Sequence, residues 1–265
     1  MTFMKTIIKP LAHAALILGS LYSALVQAAP PAPEDLHTIR LKTTDAMTSF
    51  YMYNGLEADI KYANRIDLNL ENVYAALVRV QNSAESEEEQ ALATTLTEAW
   101  NEFNRLMTDN RRDIVSRGYP DIRLVDEMGD ACLKVDEAAA VYLSSHTTPS
   151  DKKEQTAQLI RDLSFQMANI TAQYTARGTS NLGQVFVGYH KNTPSEMADR
   201  FDTLLSNLDN QVSERDQRTV RNIRSKWGFL RRSIENYNEN SVPFLVLNYN
   251  DSIISSLTGL GEHYE

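Results

Sequence analysis

The sequence contains a single cysteine, Cys132, among its 265 residues. One cysteine cannot form an intramolecular disulfide, which excludes the class of small secreted domains that are held together by such bonds. The Cys132 thiol lies on an apolar stripe, where it is either buried or, in an oxidising compartment, the link of a homodimer. The sequence leaves both interpretations open.

Two patterns typical of other fold classes are also missing. No run of alternating apolar and polar residues bounded by turn residues predicts a β-strand. Beyond residue 26, no apolar run reaches the roughly 20 residues that a membrane-spanning helix needs. We therefore expect an all-α protein without a transmembrane helix in its mature chain.

The first 28 residues resemble a secretory signal. A short stretch with Lys5 and Lys9 and no acid precedes an apolar run from Leu11 to Val26, which is 16 residues long. Small side chains before Ala29 predict cleavage after Ala28, whereas an uncleaved anchor would require a longer run. The expected location is periplasmic or secreted.

The charge of the chain limits its partners. The predicted signal carries two of the 26 basic residues and none of the 35 acidic ones, which leaves 24 basic against 35 acidic residues and a mature net charge of −11. An acidic surface repels phosphate backbones, so neither nucleic acid nor an anionic lipid surface is an expected partner.

Proline and apolar spacing predict eight helices. Proline sits where helices would begin, and Thr193-Pro-Ser-Glu196 has the pattern of a capping box with proline at the first helical position. Between these points apolar residues recur at intervals of three and four, as in Ile66, Leu70 and Val73. Tyr51 and Met52 flank one such stripe and are candidates for an interface.

An internal repeat appears at an offset of 127 residues. Two Ser-Glu segments and the only two tryptophans then coincide, and apolar residues fall on apolar residues. The matched pairs include Ser86 with Ser213, Tyr74 with Phe201, Leu77 with Leu204 and Trp100 with Trp227. This repeat predicts two tandem antiparallel four-helix units, residues 29–146 and 147–265, with Ser86 and Ser213 as helix N-caps.

Catalytic patterns are scarce. The predicted mature chain has four histidines, His37, His146, His190 and His263, and none lies in a Gly-x-Ser-x-Gly or cysteine-histidine context. Glu34 and His37 form a single Glu-x-x-His pair where a helical metal site needs two pairs and further glutamates. We predict no enzyme activity, no cofactor and no metal.

Five residues are candidates for ligand binding. Arg65 lies beside the apolar face of a long helix, where a cation either reaches water or binds an anion. Trp100 and Trp227 are core residues or a platform for a ligand. Tyr189 and His190 belong to a glycine-containing segment, residues 178–192, which lacks helical periodicity and is predicted to be a long loop.

The tryptophan helices resemble those of the periplasmic sensory domains of nitrate/nitrite sensor kinases and of the type IV pilus chemotaxis transducer. The similar segments are Trp100-Asn-Glu-Phe-Asn-Arg-Leu, Leu124-Val-Asp-Glu-Met, Trp227-Gly-Phe-Leu-Arg-Arg and the helix from Phe244. The resemblance implies anion recognition by Ile60-Lys-Tyr-Ala-Asn-Arg65, although the second arginine of that family segment is absent. Because the chain also lacks a membrane helix and a signalling region, sensing would require a partner.

Taken together, these patterns favour a soluble periplasmic helical-bundle protein that acts as a non-catalytic binding or interaction module. A protein partner in the cell envelope or a small ligand would be its target. The alternative is a sensor domain for a small ligand, with an anion as one option, that signals through a partner.

Overall fold

A computed structural model describes residues 33–146, 149–179, 192–236 and 241–264. These residues form eight α-helices and no strand. The helices are α1 (Pro33–Gly55), α2 (Ile60–Ser83), α3 (Glu87–Arg117), α4 (Ile122–His146), α5 (Lys152–Thr179), α6 (Pro194–Gln211), α7 (Gln217–Glu235) and α8 (Pro243–Gly261). The predicted all-α class and the eight helices are confirmed, whereas the predicted signal at residues 1–28 lies outside the described residues.

Two predicted helix starts are satisfied by capping boxes. The Ser86 hydroxyl accepts a hydrogen bond from the Glu89 backbone N–H, and the Glu89 carboxylate accepts one from the Ser86 N–H. Thr193 and Glu196 form the same reciprocal pair at α6, with Pro194 in the first turn. Each box satisfies backbone donors that have no partner within the helix.

The prediction of an N-cap at Ser213 is wrong. Helix α7 begins at Gln217, and Asp216 stands at its N-cap position without a side-chain capping bond. The Asp216 carboxylate is engaged elsewhere, because it accepts hydrogen bonds from the Ser213 and Tyr264 hydroxyls and contacts the His263 ring. These contacts join the start of α7 to the residues that follow α8.

Contacts between the helices follow a regular order along the chain. In the N-terminal half, α1 to α4, each helix contacts the next and α4 contacts α1, and the C-terminal half, α5 to α8, repeats this order with α8 on α5. The halves meet through α1 and α5. Buried residues form two hydrophobic clusters, and the N-terminal cluster also includes Ala176 and Leu247 from the C-terminal half.

Helix α1 is covered on several sides because it packs against α2, α4 and α5. Tyr51 and Met52 are 3% and 1% exposed, so neither is available to an interface as the sequence suggested. Buried hydroxyls on α1 donate back to carbonyls one turn earlier, as Thr48 does to Thr44. Helix α5 does the same through Ser164, which donates to Ile160. Both inner helices thus satisfy buried polar groups locally.

Helix α5 extends one residue past Gly178, so the prediction of an irregular segment is wrong for residues 178 and 179, and residues 180–191 lie outside the described residues. A β-carbon at Gly178 would collide with the Ser241 hydroxyl and lie 2.8 Å from Pro243, which explains why glycine stands at this close approach of α5 to the start of α8. Tyr189 and His190 lie outside the described residues. Among the helices described, none is long and apolar enough to cross a membrane.

Candidate functional site

A cleft of about 780 Å³ lies where α2 of the N-terminal half approaches α8 of the C-terminal half, beside α1. Its lining contains three cationic and three anionic side chains with several amides and hydroxyls. The charged residues are Lys42, Asp45, Lys61, Arg65, Asp251 and Glu262. Of the three predicted ligand residues that the structure describes, Arg65 lines this cleft, whereas Trp100 and Trp227 fill the two separate hydrophobic clusters.

Arg65 is the centre of an ion-pair network in the cleft. Its Nη1 and Nη2 donate to the two carboxylate oxygens of Asp251 at 2.5 and 2.7 Å, which is the bidentate geometry. Nη2 also donates to Asp45 Oδ1 at 2.5 Å. The side chains of Asp45, Arg65 and Asp251 are 15%, 22% and 42% exposed, so the network is partly sheltered from water.

Neutral amides extend this network into the core. Asn69 Nδ2 donates to the second oxygen of Asp45 at 3.1 Å, and Asn250 Nδ2 donates to Asp251 at 3.1 Å. The buried Thr171 hydroxyl donates in turn to Asn250 Oδ1 at 3.0 Å. Hydrogen bonds therefore connect α1, α2, α8 and α5, which gives the cleft a rigid inner wall.

The electrostatics of Arg65 argue against simple anion recognition. Burial alone would lower the pKa of Arg65, but the hydrogen bonds and charges of Asp251 and Asp45 outweigh burial and raise that pKa above its ordinary value. The guanidinium is thus permanently charged and already faces two carboxylates. An anion that bound it would first have to displace one of them.

The chemistry of the other lining residues is mixed. Lys61 is exposed at the mouth of the cleft, and its Nζ lies 5.1 Å from the centre of the Phe244 ring. Glu262 stands at the opposite end of α8. Asn64, Ser255 and Thr258 contribute neutral polar groups. Such a wall can bind a small polar molecule that is either zwitterionic or uncharged, through hydrogen bonds and, for a zwitterion, ion pairs with the lining side chains.

The two tryptophans differ in their polar contacts. Trp227 Nε1 donates to Asp202 at 2.7 Å, and its ring lies 4.3 Å from Phe201. Trp100 Nε1 is buried without a hydrogen-bond partner among the described residues, and its ring lies 6.2 Å from Tyr74. Both rings are core residues, at 7% exposure for Trp100 and 1% for Trp227, which leaves no open ligand platform at either.

The region around His37 does not resemble a metal site. The Glu34 carboxylate pairs with Arg161 at 3.0 Å. Burial lowers the pKa of His37 to about 3, and the charges of Arg161, Arg40 and Lys42 contribute to that lowering. In the described part of the chain, no three histidine, cysteine or acidic residues come together as metal ligands do. The positive surroundings of His37 would oppose a cation.

Cys132 and His263 are each engaged in the packing or ion pairing of the fold. Cys132 is 2% exposed in the N-terminal cluster, so a disulfide between copies would require this part of α4 to open. His263 Nδ1 lies 2.9 Å from Asp216, but the Ser213 hydroxyl bonds the same carboxylate rather than the imidazole. A serine activated by histidine is therefore not formed there.

Sequence reasoning identified Arg65 but missed both of its carboxylate partners. Asp251 is the single charged residue of α8, and a lone acid in an otherwise uncharged helix is a signal that could have been used. Asp45 lies on the densely buried α1, where a charge also needs a partner.

Comparison with known proteins adds no relative. No protein-family model, no curated protein and no solved structure matches the chain with significance.

Proposed function

We propose that this protein is a non-catalytic binding module of the cell envelope, and that the cleft between α1, α2 and α8 is its ligand site. An N-terminal signal ending at Ala28 would deliver it to the periplasm or outside the cell. The observation that carries the proposal is the cleft itself, with three cationic and three anionic side chains around the network of Arg65.

The same proposal includes a duplicated architecture, with units at residues 29–146 and 147–265. Its support is that equivalent helices follow in the same order and that the paired tryptophans contact paired aromatic residues, Tyr74 beside Trp100 and Phe201 beside Trp227. The cleft lies between helices of both units, a position where ligand sites are common.

The lining favours a small zwitterionic or neutral polar ligand over a simple anion. Lys61 lies near the start of α8 and Glu262 follows its end, so a small ligand reaches only one of these two exposed side chains. A ligand with an amine and a carboxylate could pair one charge there and place the other group on the neutral polar lining, without disturbing Arg65. A nitrate-like anion has only Lys42 and Lys61 left to bind, since Arg65 is occupied. Small amino acids and betaines are therefore the first compounds to test.

Calorimetry on the purified mature protein would test the site. We expect saturable heat with a member of an amino-acid and betaine panel and none with nitrate, nitrite or phosphate. Thr258→Trp should abolish it, because Thr258 is exposed in the cleft and an indole would fill that space. Thr95→Trp is the matched control, an exposed threonine on α3 away from the cleft.

The cleft proposal fails if no compound binds, or if a bound compound is unaffected by Thr258→Trp. Subcellular fractionation with sequencing of the mature N-terminus tests the location separately. Mature protein that retains residues 1–28 would contradict the cleavage.

A small-ligand sensor that signals through a partner is the second candidate. The observation that favours it is the Arg65–Asp251 pair, which joins α2 of one half to α8 of the other beside the cleft. A ligand that competes for Asp251 would loosen this connection. Fluorescence of Trp227 alone, in a Trp100→Phe background, should then shift on binding. Binding by calorimetry with no shift would favour a passive binder.

A further inference from the structure

Helix α7 is strongly basic in an acidic protein. It carries five arginines and one lysine against one glutamate, a net charge of +5. The whole chain sums to −9, so the residues outside α7 sum to −14. Such local separation of charge creates a positive field on one surface, whatever the sign of the total.

Three of these cations are on the solvent side of α7. Arg218, Arg221 and Arg232 are exposed, while Val220, Trp227 and Leu230 cover the opposite, buried face. None of the three arginines forms an ion pair with a described residue. By contrast, Arg231 is held by Asp199, Asp202 and Glu235. The exposed arginines therefore keep their charge available to a partner.

A groove of about 370 Å³ runs between α7 and α8, and of the three arginines Arg218 lines it. Hydroxyl groups of Thr219, Ser255 and Ser256 line it. Further along the pair of helices, the Phe229 and Tyr249 rings stack with centres 5.1 Å apart, and Phe229 is 54% exposed. Exposed arginines, hydroxyl donors and an aromatic pair are the groups that bind carboxylates and pack on the chain that bears them.

We propose that this surface, the α7 face formed by Arg218, Arg221, Phe229 and Arg232 with the adjoining groove, is a docking site for an acidic segment of a partner protein. The inference rests on the proposed role as a binding module. The α7 arginines do not line the Arg65 cleft, although the groove beside α7 shares Ser255 and Gly259 of α8 with it. Charge complementarity selects the occupant. A flat anionic membrane fits less well, because it would also face the negatively charged remainder of the protein.

The spacing of the arginines sets the size of the partner segment. Arg218 and Arg232 are 14 residues apart, which corresponds to about 21 Å along a helix. An extended peptide covers that distance with about seven residues, at roughly 3.3 Å each. A peptide of about four residues, roughly 13 Å long, would reach only one end.

Fluorescence anisotropy with a labelled ten-residue glutamate peptide tests the proposal on the full mature protein. We expect saturable binding that weakens as salt rises from about 0.1 to about 1 M, because exposed charges are then screened. A four-residue glutamate peptide should bind more weakly. Arg218→Gln/Arg221→Gln/Arg232→Gln should weaken the longer peptide about tenfold, since each exposed charge contact contributes a factor of about two to three.

Two control variants show whether peptide binding depends on the α7 face, on total charge or on the cleft. The variant Arg105→Gln/Arg112→Gln/Arg123→Gln removes three positive charges, as the α7 variant does, but from α3 and α4. It should leave peptide binding unchanged. Asn64→Trp, which fills the cleft from α2 at an exposed position that does not line the groove, should also leave it unchanged, so failure of the cleft and failure of the α7 face are distinguishable. Arg221→Glu, a single exposed change, repeats the test if the triple variant does not fold by circular dichroism.

Three outcomes would overturn the proposal. The first is equal peptide binding by the wild type and the α7 variants. The second is binding to vesicles that contain anionic lipid, lost in the α7 variants, without peptide binding. The third is dimerisation in sedimentation experiments that the α7 variants abolish without peptide binding, since the face would then be a contact between copies of this chain.

Discussion

The two tryptophan helices, α3 in the N-terminal half and α7 in the C-terminal half, present opposite charge to solvent. Helix α3 carries seven acidic and four basic residues, whereas α7 carries one acidic and six basic residues. Their buried sides are alike, because Leu96, Trp100 and Phe103 correspond to Ile223, Trp227 and Leu230 at the 127-residue offset, and all six are buried. Apolar positions therefore repeat between the halves while surface charge does not.

The polar partners of the tryptophans show the same difference at atomic scale. Trp227 Nε1 has Asp202 as its acceptor, and the residue that matches Asp202 in the N-terminal half is Ala75. Trp100 Nε1 consequently has no partner among the described residues. A buried donor without an acceptor costs free energy, so the C-terminal tryptophan should be the better anchored of the two.

Replacing each tryptophan by alanine should have the largest effect on the free energy of unfolding, and the size of the loss should differ between the two halves. We expect Trp227→Ala to lower the free energy of unfolding by about 4 kcal/mol and Trp100→Ala by about 3 kcal/mol. Trp227 loses a hydrogen bond and its contact with Phe201 as well as its buried area. Urea unfolding followed by circular dichroism measures both values.

Phenylalanine variants provide the control, because they keep most of the ring. Trp227→Phe leaves Asp202 without its indole donor and should cost about 1 to 2 kcal/mol, whereas Trp100→Phe removes an unsatisfied donor and should cost less. A larger loss from Trp100→Phe than from Trp227→Phe would show that the comparison is wrong.

The connection between the halves is tested by Arg65→Gln. Removal of the guanidinium leaves Asp45 and Asp251 facing each other without a cation, and we expect a loss of about 2 kcal/mol in the free energy of unfolding. The ion pair between Arg65 and Asp251 also joins α2 to α8. Because the variant loses this pair, the rate of amide hydrogen exchange should rise in both helices.

Arg79→Gln is the matched control, since Arg79 pairs with Asp35 within the N-terminal half and is 56% exposed. Its effect should be below about 1 kcal/mol. Equal losses in the two variants would mean that the Arg65 network contributes no more than a surface pair.

Acid sensitivity should arise in the N-terminal half through His37. Because its pKa is about 3 in the folded protein and about 6.5 in an unfolded chain, the unfolded state binds the extra proton first. Stability is therefore complete above about pH 6.5 and falls as the pH drops towards 3, by at most about 1.4 kcal/mol per pH unit from this group.

His37→Gln should flatten the pH dependence over that window, as measured by thermal unfolding at several pH values. The matching position of the C-terminal half is Ser164, which does not titrate there. If the variant and the wild type lose stability in parallel as the pH falls, His37 is not the source.

The smallest expected effect comes from giving Trp100 the acceptor that it lacks. Ala75→Asp places a carboxylate at the position that matches Asp202, on an exposed site of α2. We expect a gain of about 0.5 to 1 kcal/mol from the new hydrogen bond, less the lower helix propensity of aspartate. In a Trp100→Phe background the gain should disappear. A gain that persists would reflect surface charge alone.

Local patterns account for what was predictable about the fold. The three-and-four spacing of apolar residues predicted all eight helices, and the N-cap at Ser86 and the capping box at Thr193 predicted two of their starts, because both signals act within one or two turns. The N-cap prediction at Ser213 failed since Asp216, which Ser213 bonds, also contacts residues about 50 positions away.

The candidate site was predictable only in part. Arg65 could be recognised as a cation beside an apolar face, but its partners lie 20 and 186 residues away, at Asp45 and Asp251. The interface prediction for Tyr51 and Met52 was wrong because α1 is buried against three helices and the periodicity of one face cannot show this. The positive charge of α7 is visible in the sequence, whereas only the structure shows that its exposed arginines form no ion pair with a described residue.

The sequence by itself determined the eight helices and one apolar face of each, because helix formation and amphipathicity are set by residues a few positions apart. The tertiary structure alone decided which faces meet. By packing α1 against α5 and α2 beside α8, it placed Arg65 between two distant carboxylates and created the cleft. Ion pairing depends on distances that chain packing sets, and no local pattern encodes them.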